Sequence, residues 1–169
     1  MTTADLLADA FGRIREVVHH TVDGLSAGQL AFRPGGHANS IAWLVWHLTR
    51  IQDDHVAAAA GTGQAWTAGG WAARFGLPLD PADTGYGHGD KEVAAVRVES
   101  GELLTAYHDA VFEQTTRYVR GLADADLDRI VDERWDPPVT LGVRLVSVIS
   151  DDLQHAGQAA YLRGLGDLG

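Results

Sequence analysis

The sequence predicts an all-α protein, an antiparallel four-helix bundle with a long connection between its second and third helices. Three observations predict it. Apolar residues recur at three- and four-residue spacings in four separate segments. No segment alternates apolar and polar residues convincingly enough for a strand. Glycine- and proline-bearing runs separate the periodic stretches. The length of 169 residues fits one domain spanning 1–169.

The first helix is expected from about Thr3 to Thr21, with Leu6, Leu7, Ala10, Ile14, Val17 and Val18 as its apolar stripe. Turn chemistry from Val22 to Gly36 ends it, through Gly24, Ser26, Gly28 and Arg33-Pro34-Gly35-Gly36. Asn39 or Ser40 can cap the second helix, which then runs without a breaker to Gly61. Its stripe is Ile41, Leu44, Val45, Leu48 and Ile51. The connection from Gly61 to Val98 holds eight glycines, Trp66, Trp71, Phe75 and Tyr86, with no sustained period. Connections this long inside a domain are often functional, and its aromatics suit one wall of an apolar substrate pocket.

A third helix is expected from about Ser100 to Arg120 on Leu103, Leu104, Tyr107, Val111, Thr115 and Tyr118. Residues 122–139 form the other connection, with a short helical turn around Ala125–Val131. Pro137-Pro138 precedes the fourth helix; Thr140 is its expected cap and Gly164 or Gly166 its stop.

Composition narrows the function. Thirteen Lys plus Arg stand against 23 Asp plus Glu, a formal charge of −10, which argues against nucleic-acid and anionic-membrane partners. No cysteine is present, which excludes disulfides, cysteine-ligated zinc, iron–sulfur ligation and a cysteine nucleophile. Any thiol chemistry therefore uses a thiol of the substrate. The opening MTTADLLADAF carries early acids and does not read as a secretory signal, and apolar stretches fall short of the ~20 residues of a membrane span. A cytoplasmic location is the expectation. Arginine outnumbers lysine twelve to one, a bias that fits a GC-rich genome.

The informative anomaly lies in the fourth helix. Leu141, Val148, Ala159 and Leu162 define an inward stripe, and Asp151 and His155 fall within it one turn apart. Residues at i and i+4 project toward a common point, the spacing used when one helix gives a metal two ligands. Asp152 lies nearer the stripe's other edge, so Asp151 is the better choice. A third ligand must come from a facing helix. His47, near mid-helix on the flank of the Leu44–Leu48–Ile51 stripe, is preferred to His55, which lies near the helix end.

A plainer reading competes with each of these. A lone histidine on an apolar face is commonly a hydrogen-bonded core residue, and an inward Asp–His pair can be a buried ion pair. His19, His20, His37, His88 and His108 read as surface or loop residues. Trp43, Trp46, Trp66 and Trp71 read as core or pocket wall. Asp124, Asp126, Asp128 and Asp132 read as a solvated face, without the glycine and terminal glutamate of a calcium loop.

The motifs NSIAWLVWHLTR (Asn39–Arg50) and DDLQHAGQAAYLRG (Asp151–Gly164) together resemble the DinB-like superfamily of metal-binding four-helix bundles. The resemblance covers essentially the whole chain. It implies a metal held by one histidine of the second helix and two residues, i and i+4, of the last. Many members use three histidines; here the matching positions are His47, Asp151 and His155. The acidic residue resembles the mycothiol-dependent branch, which includes mycothiol S-transferases and mycothiol-dependent maleylpyruvate isomerase. The resemblance thus implies a metal-dependent thiol S-transferase, with mycothiol as co-substrate and a small electrophile as acceptor. Related bundles often pair as homodimers.

Zinc is the expected metal, with an open fourth position. Nickel, manganese and iron are also compatible with a His₂-carboxylate set. Two other readings keep the same site, a metal-dependent hydrolase of a small substrate and a non-catalytic metal-binding stress protein.

Overall fold

A computed structural model describes residues 1–165. Four long helices carry it: α1 (Thr3–Val22), α3 (Ile41–Ala60), α7 (Gly101–Arg120) and α8 (Leu141–Gly164). Four short ones lie in the connections: α2 (Ala27–Ala31), α4 (Ala65–Ala68), α5 (Trp71–Phe75) and α6 (Asp90–Ala95). Each long helix packs on two others: α1 and α3 both lie against α7 and α8. The helices are therefore where the apolar periodicity puts them, and the protein is predominantly helical.

The caps explain the boundaries. Thr2 accepts the Asp5 amide while Asp5 accepts the Thr2 amide, a reciprocal pair that starts α1. Ser40 accepts the Trp43 amide at the head of α3, and Gly61 ends that helix in a left-handed turn at φ 68°. Thr140 caps α8 through the Val143 amide. The alternative stop at Gly166 lies outside the described residues.

Several expectations need correction. The region from Val22 to Gly36 is not all turn, because Ser26 and Gln29 form a capping box that nucleates α2. The connection after Gly61 is broken into three short helices rather than being irregular throughout. The turn expected at Ala125–Val131 is a 3₁₀ segment at Asp124–Asp128. A two-stranded antiparallel ladder follows it, β1 (Ile130–Asp132) with β2 (Val139–Thr140), which is too short to show period two in the sequence. Leu6 is exposed, and the buried face of α1 runs instead through Phe11, Ile14, Val18 and Val22.

Asp132 does not belong to a solvated face. It is buried and accepts from Arg134 and Arg144, both at 2.9 Å, and these charge-assisted bonds hold its carboxyl below the usual range.

The aromatics of the long connection face inward. Trp66, Trp71 and Phe75 pack around Tyr107 with ring centroids 5.2–5.7 Å apart. They form a lid of core over α3 and α7, so α3 is buried on nearly every side from Ile41 to Arg50. A helix buried all round has to answer most of its polar groups internally, although Trp46 Nε1 and Gln52 Oε1 go without a partner. Thr49 donates to the Val45 carbonyl, and Gln52 donates to Thr115. Asp53 accepts from the Ala65 and Trp66 amides and from the Tyr107 hydroxyl.

His108, read from the sequence as a surface residue, is instead fully buried in α7, its Nδ1 3.1 Å from Thr49 Oγ1. Burial lowers its pKa from 6.5 to about 4. Between those values the unfolded chain binds a proton that the folded chain refuses. Stability is therefore full above pH 6.5 and falls as the pH drops toward 4, by about 3 kcal/mol for this group. Urea unfolding at pH 7.5 and 4.5 should show a smaller acid loss in His108→Leu than in the wild type. Equal losses in the two proteins would contradict this assignment.

Candidate metal centre

His47, Asp151 and His155 converge: one ligand atom from each lies within 4.8 Å of the others. His47 comes from the middle of α3, and the other two sit one turn apart on α8, which packs against α3. The His155 Nε2 lies 3.6 Å from Asp151 Oδ1, and the two imidazole centroids are 4.8 Å apart at 75°.

Burial differs across the three. His47 is buried, whereas the side chains of Asp151 and His155 are 37% and 19% exposed. Asp151 and His155 thus stand at the border of the α8 stripe rather than at its centre. The fully buried carboxylate is Asp152, which the sequence placed nearer an edge. Both Asp152 oxygens lack a protein partner, and burial, with the Asp151 charge beside it, pushes its carboxyl well above the ordinary range. The half-exposed border is the better place for a reactive site, because a small molecule can reach it.

Hydrogen bonds fix which nitrogen of each histidine faces the group. His47 Nδ1 lies 2.6 Å from the Thr84 carbonyl; a carbonyl only accepts, so Nδ1 carries the proton. His155 Nδ1 lies 3.1 Å from the Gln158 amide oxygen and is held the same way. In the neutral tautomer that donates from Nδ1, Nε2 is the lone-pair nitrogen, a pattern typical of metal-bound histidine. Burial lowers the His47 pKa, which keeps that ring neutral, as ligation requires. Asp151 Oδ2 is buried without a hydrogen-bond partner. One ligand atom from each imidazole and one from the Asp151 carboxylate gather within 4.8 Å, and a divalent ion fits that donor set.

The strap from Asp83 to His88 covers His47. Trp43, one turn before His47, stacks on its ring at 4.5 Å and 15°, and donates its indole N–H to His88 Nδ1. His88 is therefore not a surface residue; its side chain is 6% exposed and stacks on Trp46. Gly85 lies over the His47 ring with φ +93°, and a Cβ there would sit 2.5 Å from His47 Nδ1. His55 is not part of the group. It lines a polar depression with Asp54, Asp132 and Arg144.

Sequence reasoning missed Thr84, Gly85, His88 and Gln158. Gln158 had a signal, since it stands three residues after His155 and thus on the same helix face. A backbone carbonyl such as that of Thr84 leaves none.

Substituting Gly85 with alanine should lower the melting temperature, because left-handed strain and the clash together cost of order 1–3 kcal/mol. It should also shift the His47 Nδ1–H proton resonance. An unchanged melt with an unchanged resonance would contradict the close approach.

Comparison with known proteins places the chain by fold and family. The chain is 31% identical to a conserved protein from Enterococcus faecalis of known crystal structure, over 96% of each chain, with a TM-score of 0.90. No curated protein matches the chain. The family model described as mycothiol-S-transferase matches residues 6–167, and the chain belongs to that DinB-like family.

Proposed function

We propose that this chain is a metal-dependent S-transferase that activates a low-molecular-weight thiol, mycothiol, for attack on a small electrophile. The observation that carries the reading is the convergence within 4.8 Å of one ligand atom each from His47, Asp151 and His155 at a partly exposed border, with both Nδ1 atoms engaged by oxygen acceptors. Membership in the mycothiol S-transferase family supports the choice of thiol. The ring of contacts among α1, α3, α7 and α8 supports reading the architecture as an antiparallel four-helix bundle.

His47, Asp151 and His155 would hold the ion, zinc by preference for this nitrogen and oxygen set. When bound, the metal supplies positive charge that favours the thiolate over the thiol, and the thiolate is the nucleophile. The chain's residues do the rest by placement. Thr84 and Gln158 orient the two imidazoles, and Trp43 covers one face of His47. Asp151 offsets part of the ion's charge and leaves the site less cationic than three histidines would.

In the transfer the thiol sulfur forms a bond to an electrophilic carbon. The thiol proton passes to solvent; the leaving group departs with its bonding electron pair, or the π pair moves to the neighbouring atom, which takes a proton from solvent. No helix among the described residues is long and apolar enough to cross a membrane.

Elemental analysis of purified protein, followed by conjugation assays with and without mycothiol, tests the reading. One divalent metal per chain and thiol-dependent turnover are expected, both lost in His155→Ala. Full metal stoichiometry in that variant would refute the ligand assignment. Turnover of a substrate without any thiol would show a hydrolase, and stoichiometric metal with no turnover of a broad electrophile panel would show a binding protein.

A further inference from the structure

Arg50 lies one turn beyond His47 on α3 and is 1% exposed. A buried guanidinium is costly unless its donors are used. Its Nε donates to the Asp83 carbonyl at 3.1 Å, and Nη1 donates to Gln64 Oε1 at 3.0 Å. Its charge faces Asp53 at 3.7 Å and the Trp66 ring at 5.2 Å. The Asp83 carbonyl belongs to the peptide unit just before Thr84, whose own carbonyl accepts from His47 Nδ1. Successive turns of α3 thus grip successive carbonyls of one strap, Arg50 on residue 83 and His47 on residue 84.

We propose that Arg50 is a positioning residue for the metal centre, holding the strap so that the Thr84 carbonyl fixes the tautomer and orientation of His47. The proposal rests on the metal reading given above. Two observations argue that the strap needs this anchor. Its backbone passes His47 so closely that Gly85 has no room for a Cβ, and it does so at φ +93°. A segment held that near a ring by a glycine, which is free to adopt many other conformations, needs bonds that oppose its release. Trp43 Nε1 to His88 Nδ1 pins the far end at 3.2 Å, and Arg50 pins the near end. No residue of the strap is itself in the ligand group, so Arg50 acts on the ion only through His47.

The test uses the full chain and zinc. Arg50→Lys keeps the charge beside Asp53 but has lost the planar fork that serves Asp83 and Gln64 together. Its helical circular dichroism should match the wild type, while zinc binds roughly 10–100-fold more weakly, the usual effect of losing a group that orients a ligand. The His47 Nδ1–H proton, slow to exchange in the metal-free wild type, should exchange faster in the variant. A folded Arg50→Lys with wild-type zinc affinity and a protected His47 proton would overturn the proposal.

If the variant does not fold, the wild type alone decides. Zinc titration should shift the Arg50 Nε–H resonance through the strap, and an unmoved resonance with zinc bound would overturn the coupling. The metal-free His47 measurement separates this inference from the metal reading. A wild type that binds no zinc defeats the metal reading and this inference's role in it, whereas zinc binding that ignores Arg50 defeats this inference only.

Discussion

The hydrogen bond from His47 Nδ1 to the Thr84 carbonyl, 2.6 Å long, decides what the site can be. Were the ring free to turn, its protonated nitrogen could face Asp151 and the group would be an ordinary buried ion pair. Because a carbonyl takes the proton at Nδ1, the nitrogen that meets Asp151 and His155 is a lone pair. Gln158 does the same for His155. The backbone thus settles which nitrogen of His47 is presented to the group.

The strap that supplies the carbonyl exists because α3 is buried on nearly all sides. Covering that helix with the Gly61–Val98 connection buries Trp66, Trp71 and Phe75, each contributing on the order of 1.5–3 kcal/mol or more of apolar burial. The same cover removes water from His47, Thr49, Arg50, Gln52 and Asp53. One buried polar group left unanswered costs about 1–3 kcal/mol, enough to cancel a buried aromatic. The connection therefore has to return hydrogen bonds as well as hydrophobic surface. It does so with backbone groups, the Ala65 and Trp66 amides to Asp53 and the residue 83 and 84 carbonyls to Arg50 and His47.

The long helices were legible because each carries its own punctuation. Ser40 and Thr140 mark starts, Gly61 marks a stop, and the apolar spacing marks the buried faces. The convergence of three side chains was legible for a related reason. Asp151 and His155 are one turn apart, and His47 is a mid-helix histidine on a facing helix. Helical period carries no information about depth, however. It placed Asp151 inside the stripe, where the fully buried acid is Asp152, and it left His108 on the surface, where it is wholly enclosed. Nor could it show the strap, whose role is played by carbonyls common to every residue type. The single side-chain hint was a glycine, Gly85, among several others in the same run.

Membership in the mycothiol S-transferase family places the chain among proteins named for thiol chemistry, and the absence of cysteine requires any thiol to come from outside. The claim on which all of this turns is that one ion sits among His47, Asp151 and His155. Anomalous diffraction at the zinc edge from a crystal grown with one equivalent of zinc tests it most directly. The account predicts a single peak within about 2.0–2.2 Å of both Nε2 atoms and an Asp151 oxygen. A peak elsewhere, or none between side chains arranged as described, would contradict it.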